Sequence, residues 1–510
     1  MALSLGSALA SKVYLGATEI NLAYFGATQV YTSSAFSAEA QNYFDRLDTA
    51  GDTTYTAYKQ PLANYIDSLV SLGGAYWDTM ESAASFVGVG IQGITVPLRD
   101  GMTVPTNNNF VAGDLDQLTG LKGDGTTKTV TTGLLGTALA QNDASISCYI
   151  TGAHTVGGQF LLADNGLATR LRYTTTVSIN SSSGSTFGTA PSGLFGANRT
   201  SASNLDVRNN GTTYADTVTS VAGSATELGV FGKGSVAGTD ARLATYHAGP
   251  ALNLATLEGL QATLLSEIRT AHTFVAAASY FSRLAAAGDT THVAYKQPLT
   301  NYITSLVELG GAYWDDMKSA ASFVGVGIQG IVVPLRDGMT VPTQSNFVAG
   351  DLNQLTGLKG DGSTKYIATN VAGTALLQDD ASASVHITTA AVGANKFYMT
   401  NSGGASLSLR STPQQSLNSS SVATLGTVPT SGIYGASRSS STTIDARSNQ
   451  TSYSAAITSI APSANDLYVY SIGAAPSADA RLATYHAGPA LNLATLEGLQ
   501  DTLITEIAAI

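Results

Sequence analysis

The sequence predicts a mainly β protein with flanking helices: two tandem β-sandwich modules behind a small N-terminal hairpin leader. The chain repeats itself, since the stretch from Tyr43 to Gln261 returns as Tyr280 to Gln500. That period lies far above the 20–50 residues of solenoid repeats. Within each copy, a helical frame with apolar residues at i, i+3 and i+4 gives way to many short β-branched runs punctuated by Gly, Pro, Asn and Ser. At 510 residues the chain also exceeds what one core supports, because cores stop growing near ~250–300 residues. The expected division is a β leader over 1–34, a helical segment over 35–85, and a sandwich with its closing helix over 86–272. The same pair follows over 273–322 and 323–510.

The leader carries its own repeat. VYLGATEIN from Val13 and AYFGATQVY from Ala23 each read as strand, Gly-Ala-Thr turn and strand. So small a β element is marginal alone, so it is expected to pack on its own repeats, another subunit or a docking partner. Ser37 then caps a helix reaching about Leu47, with Tyr43, Phe44 and Leu47 on one side. A second helix is expected over 57–72. Leu62, Tyr65, Ile66, Leu69 and Val70 form its stripe, and Pro61 sits in the first turn, where a missing N–H costs little. Gly73 and Gly74 end it, and 75–85 reads as a third helix carrying Trp77 and Met80. From Phe86 to about Arg242 the text becomes that of a many-stranded sandwich. Leu254, Leu257, Leu260 and Leu264 mark a closing helix over 252–268.

Between the copies the frame is kept and the middle is rewritten. YKQPLANYIDSLVSLGGAYWD from Tyr58 returns as YKQPLTNYITSLVELGGAYWD from Tyr295. SAASFVGVGIQGI starts at both Ser82 and Ser319, and DARLATYHAGPALNLATLEGLQ at both Asp240 and Asp479. From about Thr129 to Gly238 the copies barely align, which points to a scaffold whose variable part faces outward.

Composition excludes several classes. Charged residues are 12% of the chain, about half the usual share, and the net charge is -11. No Lys/Arg run exists to displace counterions, so nucleic acid is not an expected partner. Cys148 is the single cysteine, which rules out an intrachain disulfide or a cysteine zinc site and reads as a buried thiol. The opening MALSLGSALASKVYLG lacks a basic region before an apolar core, and no apolar run approaches the ~20 residues of a bilayer span. A soluble protein made in a cytoplasm is expected, so triplets such as Asn198-Arg-Thr200 carry no glycosylation meaning.

Both copies carry Gly-x-x-Trp-Asp (Gly74 to Asp78, Gly311 to Asp315), Leu-x-Gly-Asp-Gly (Leu121 to Gly125, Leu358 to Gly362) and Ala-x-Tyr-His-Ala-Gly (Ala244 to Gly249, Ala483 to Gly488). Those marks resemble a module of phage and prophage virion proteins. That family's sandwich is similar to the concanavalin A-like, laminin-G-like jelly roll. The leader also looks like the tyrosine-glycine repeat that opens many phage tail or fibre proteins. The resemblance implies two jelly rolls projecting from a virion, made in the host cytoplasm and mounted on other virion proteins through the leader. Typical members are richer in Asn and Trp after the Trp-Asp helix, where this chain reads VGVGIQGI.

The expected function is therefore a non-enzymatic tail, baseplate or fibre component that touches host surface or glycan. A capsid decoration or head-fibre protein is the alternative, and a polysaccharide depolymerase is the weaker one. Low charge and polar surfaces suit a homo-oligomer, for which the phage context suggests a trimer. No cofactor, metal, membrane insertion or catalytic residue is expected. Glycoside hydrolysis needs two carboxylates about 5–10 Å apart. No Glu occurs between Glu81 and Glu227 or between Glu308 and Glu497, and Asp116 of the Asp114/Asp116 pair becomes Asn353 beside Asp351 in the second copy. No Gly-x-Ser-x-Gly elbow stands between a strand and a helix.

The remaining candidates read structurally. Gly123-Asp124-Gly125 is expected to be a hairpin turn, without the ligand cluster of a calcium loop. His247, beside Tyr246, is expected to fix the strand-to-helix corner, while Arg242 pairs with Asp240 or caps carbonyls. The Leu62–Val70 stripe and Trp77 are expected to be core. Sugar platforms could come from Tyr173, Asn180 and Tyr214, or Tyr398, Asn418 and Tyr453, although their abundance alone defines no site.

Overall fold

The computed structural model describes the chain except residues 1–12, 16–17, 21, 26–27, 33–35, 156–159, 173–175, 182, 189–191, 310, 402–405, 420, 425–426, 473–474 and 477. For 13–15, 18–20, 22–25, 28–32, 74–75, 237, 311–312, 472 and 475–476 it describes backbone alone. The chain divides into two compact units, 33–272 and 273–510, the latter grouped with 1–32. In the leader, Val13–Leu15 pairs antiparallel with Thr18–Ile20, and Leu22–Phe25 with Thr28–Thr32.

The first unit begins with α1 (Ala38–Thr49), which Ser37 caps by accepting the Ala40 N–H at 3.1 Å. It buries Ala40, Tyr43, Phe44 and Leu47. After a 3₁₀ turn over Thr54–Tyr58, α2 (Lys59–Ser71) buries Leu62, Tyr65, Ile66 and Leu69, with Pro61 in its first turn. The helix α3 (Gly74–Thr79) turns Trp77 and Tyr76 inward.

Here the structure corrects the sequence reading. The third helix stops at Thr79, and Ser82–Ser85 is a strand paired with Arg242–Gly249. All four of its residues are buried. With both faces covered, the strand loses the alternation that would announce it, and its small side chains read equally well as helix.

Two sheets follow, antiparallel except where Phe160–Asp164 meets Gly232–Lys233 in a parallel pairing. One runs Thr212–Thr217, Asn204–Asn209, Gly193–Arg199, Ala144–Gly152, Arg242–Gly249, Gly120–Lys122 and Leu115–Asp116, with Ser82–Ser85 joined at Arg242–Gly249. The other is built on Phe160–Asp164, Glu227–Val230 and Thr129–Leu135. In the first sheet Cys148 faces Tyr246 across the ladder, and its thiol is fully buried. The strand Arg242–Gly249 shows why the unit is layered. Tyr246 points into the sandwich against Phe86, which in turn meets Phe231, whereas Thr245 and His247 meet the helices. Each unit is a jelly-roll β-sandwich with helices over one sheet.

The helix α4 spans Leu254–Ala286 without interruption. The expected closing helix and the expected first helix of the second copy are thus one element, and the boundary between units falls inside it. The second unit continues with α5 (Lys296–Glu308), α6 (Gly311–Asp316), the buried strand Ser319–Ser322, two sheets in matching order and α7 (Leu493–Ala508). Among the described residues no helix is long and apolar enough to cross a membrane.

The retained VGVGIQGI segment has a packing reason. Asp52, buried in the loop after α1, accepts the Gly90 N–H at 2.6 Å and the Thr54 N–H at 2.8 Å. A Cβ on Gly93 would lie 2.2 Å from its carboxylate oxygen. Asp289 repeats this with Gly327 and Thr291, and a Cβ on Gly330 would again stand 2.2 Å away. Gly330→Ala is therefore expected to destabilise the second unit by about 2 kcal/mol through overpacking. Gly498→Ala on α7, where nothing lies within 4 Å, should stabilise it by about 0.5–1 kcal/mol. Thermal unfolding of the two variants checks both signs; equal effects would remove the Asp289 explanation.

Candidate functional site

The residues retained between the copies are consumed by the fold. His247 is fully buried, with Nε2 hydrogen-bonded to the Tyr65 hydroxyl at 2.7 Å and Nδ1 3.3 Å from the Tyr76 hydroxyl. His486 is held equally by Tyr302 and Tyr313. Burial pushes each imidazole down to about 3, so each ring is neutral near pH 7. The first ring fastens α2 and α3 to its sheet, and the second fastens α5 and α6. The histidine does not sit at the corner leading into the closing helix, as the sequence reading had it. It lies two residues before the end of Arg242–Gly249, and its ring faces the preceding helices. Arg242 caps carbonyls, donating from Nη1 to Gly120 O at 2.5 Å, while Asp240 accepts the Thr155 N–H and faces His154.

Gly123-Asp124-Gly125 is a closed turn. Asp124 Oδ1 accepts the N–H groups of Thr126, Thr127 and Lys128 at 2.8–3.0 Å, and Gly125 has φ +75°. Burial raises this carboxyl's pKa, but the hydrogen bonds from Thr127, Thr126 and Lys128 outweigh it and hold the group well below the carboxylate range. Asp361 repeats the arrangement. Asp116 accepts the Leu118 and Thr119 N–H groups, and Asn353 accepts those of Leu355 and Thr356, so an amide oxygen serves as well as a carboxylate there. Asp114 and Asp351 pair with Lys128 and Lys365. Glu227 accepts the Gly133 N–H. Among the described residues no three His, Cys, Asp or Glu side chains gather as a metal site.

Of the six residues named as sugar platforms, Tyr173 lies outside the described residues. Asn180 and Asn418 are buried and donate to the carbonyls of Leu139 and Ala140, and of Leu377 and Gln378. Tyr398 is fully buried against Tyr434. These three are core. Tyr214 and Tyr453 remain at or near the surface, at equivalent places on the outermost strands Thr212–Thr217 and Thr451–Ala456.

Those strands border a concavity in each unit. In the second, a groove of about 600 Å³ lies between the hairpin Thr443–Ser448/Thr451–Ala456 and the segment 490–494 that enters α7. Asp445, Arg447, Ser437, Ser439, Ser452 and Asn492 are among its lining residues. The first unit has a groove of about 430 Å³ at the same place, lined by Asp206, Arg208, Asn198, Thr200, Thr213 and Asn253 among others. Larger side chains at three of these positions accompany the smaller volume.

Each groove is held by one ion pair. Arg447 donates from Nε to Glu497 on α7 at 2.7 Å and from Nη1 to Ser452 at 2.8 Å. Glu497 also accepts the Gln450 N–H from the hairpin turn. Arg208, Glu258, Thr213 and the Gly211 N–H repeat this set. The hairpin is thereby tied to the helix it faces. Sequence reasoning missed the pair because its members stand 50 residues apart, in both copies. The available signal was Asp-x-Arg, present at 206–208 and 445–447 within the rewritten middle.

No family profile matches this sequence, and no curated protein does. Several solved structures are distantly similar. Domain 4 of AbnA, a GH43 extracellular arabinanase from Geobacillus stearothermophilus in complex with arabinotriose, is 10% identical. It covers 36% of this chain and 98% of its own, with a TM-score of 0.22. A Trypanosoma rangeli sialidase mutant displaying trans-sialidase activity is 9% identical, with a TM-score of 0.28. The match takes in 74% of this chain and 61% of the sialidase. Mouse laminin alpha1 chain domains LG4-5 are 9% identical over 74% of this chain and 90% of theirs, with a TM-score of 0.20. At such values none of them assigns this chain a ligand or a reaction.

Proposed function

We propose that the chain is a non-enzymatic phage virion protein, a tail, baseplate or fibre component, whose two sandwiches meet host-surface glycan through these grooves. The carrying observation is the recurrence of one groove in both units, with Asp-x-Arg kept inside the stretch that is otherwise rewritten and its Arg tied to a Glu of the retained closing helix. The phage setting rests on the motif resemblance and on the leader. Low charge and abundant hydroxyls suit a surface that recognises sugars by hydrogen bonds. The groove itself supports a role without reaction. Among the described residues its lining in the second unit holds one carboxylate, Asp445, while the nearby Glu497 is engaged by Arg447 and the Gln450 N–H. Hydrolysis of a glycosidic bond normally takes two carboxylates.

The intact chain is expected to bind host cells and a subset of immobilised glycans saturably, and to leave the length of host polysaccharide chains unchanged. No retention at high protein concentration would remove the adhesion reading, and any shortening of the polysaccharide would remove the non-enzymatic one.

A further inference from the structure

Resting on that adhesion reading, we infer that both grooves select uncharged, polyhydroxylated glycans and reject sugars bearing carboxylates. Two features could have received an acidic sugar, and each is already used internally. Among the described lining residues of each groove the only basic side chain is Arg208 or Arg447. Its guanidinium lies against Glu258 or Glu497 at 2.6–2.7 Å, and its Nη1 donates to Thr213 or Ser452. A carboxylate ligand would have to displace a carboxylate of the protein that is itself fixed by a backbone N–H.

The second feature is the helix start at the groove's end. Asn253 caps α4 by accepting the Ala255 and Thr256 N–H groups, and Asn492 caps α7 by accepting that of Ala494. The protein's own side chain thus occupies the place an anion would take.

The polar groups that line the grooves beside the paired arginine are an aspartate, hydroxyls and the neutral amides of Asn492, or of Asn198 and Asn253. Asp445 is exposed, and Ser439 and Ser454 line the same space, with Ala446, Ala490 and Leu491 supplying apolar wall. With the Arg-Glu pair neutral, the aspartate leaves the groove net negative. Sugar hydroxyls donate well to a carboxylate, in bonds stronger than neutral ones. A sugar carboxylate would be repelled by it.

The test uses the 510-residue chain on an array carrying neutral gluco-, galacto- and manno-oligosaccharides beside sialylated and uronate oligosaccharides. Retention on neutral members alone is expected. It should weaken by at least about tenfold in Asp445→Ala, and vanish when Asp206→Ala is added. Both positions lie on the sheet's outer hairpin, and unchanged thermal unfolding of each variant verifies that folding is intact. Retention on acidic glycans that fades with added salt would overturn the inference while leaving adhesion standing. Neutral binding indifferent to both aspartates would overturn the groove as the site. Failure to bind any glycan would overturn the adhesion reading itself.

Discussion

Replacing Arg438 with methionine is expected to lower the stability of the second unit by roughly 4 kcal/mol, a loss on the scale of a whole domain's margin. Arg438 is fully buried without a carboxylate partner among the described ion pairs. Its guanidinium instead serves as a bolt. Nε donates to Leu417 O at 2.9 Å, Nη1 to Ile457 O at 2.9 Å and Ser440 O at 3.3 Å, and Nη2 to Ser419 Oγ at 2.6 Å. These acceptors belong to three separated pieces of chain, which the planar fork joins at once. Methionine fills similar volume but leaves the acceptors without these donors, and each buried group so abandoned costs about 1–3 kcal/mol. Lysine should not rescue, since a single ammonium cannot span the fork.

Arg199 makes the same set in the first unit, with Ile179 O, Val218 O, Ser201 O and Ser181 Oγ. The chain has two tryptophans, Trp77 in the first unit and Trp314 in the second. In a Trp77→Phe background, Trp314 emission during denaturant unfolding therefore reports the second unit. Arg438→Met must move that midpoint far more than Arg199→Met does. An unmoved midpoint would show that the bolt carries no stability.

That bolt explains part of what the sequence concealed. The middle of each copy reads as rewritten, yet Asn180, Ser181 and Arg199 stand in the first unit where Asn418, Ser419 and Arg438 stand in the second. They hold the same carbonyls in each sandwich. Common residue types such as Asn and Ser, scattered through polar text, cannot be sorted by sequence into buried bolts and surface hydroxyls. Asn180, Asn418 and Tyr398 therefore stand among the possible sugar contacts by residue type, although they are core. The helices were legible because their signals are local: the Ser37 cap, and the spacing of Leu62, Tyr65, Ile66 and Leu69.

The unbroken α4 was misjudged by analogy between the copies. Phe274 stands where the first copy has its capping Ser37, and no Gly or Pro interrupts the chain between Gly259 and Gly288. Without a cap or a breaker the helix continues. The groove was illegible for a different reason. Its tie joins a hairpin to a helix 50 residues away, a tertiary fact that no local pattern carries.

The second large effect is acid lability. His486 is fully buried, and burial pushes its imidazole down to about 3, against an ordinary value near 6.5 in the unfolded chain. Between those values the unfolded chain takes up a proton that the folded one does not. Stability is therefore complete above the unfolded value and falls with pH by about 1.4 kcal/mol per unit for this one ring. His247 acts alike in the first unit. The depressed carboxyls Asp124 and Asp361 also lose stability on acidification, but only below the ordinary carboxylate range, so the window from pH 6 to 4.5 belongs to the histidines.

The second unit is the cleaner test. In the first, Asp164 is raised by burial and binds its proton more readily folded than unfolded, which offsets part of the loss; the second has Asn401 at that place. His486→Gln cannot titrate. Read by Trp314 emission in the Trp77→Phe background, it is expected to be less stable than its parent at pH 7 yet to show a slope flatter by about 1.4 kcal/mol per unit between pH 6 and 4.5. A parent already flat across that window would mean that the Tyr302–His486–Tyr313 contact accepts a proton without opening, and the neutral ring would then cease to explain how the helices are held to the sheet.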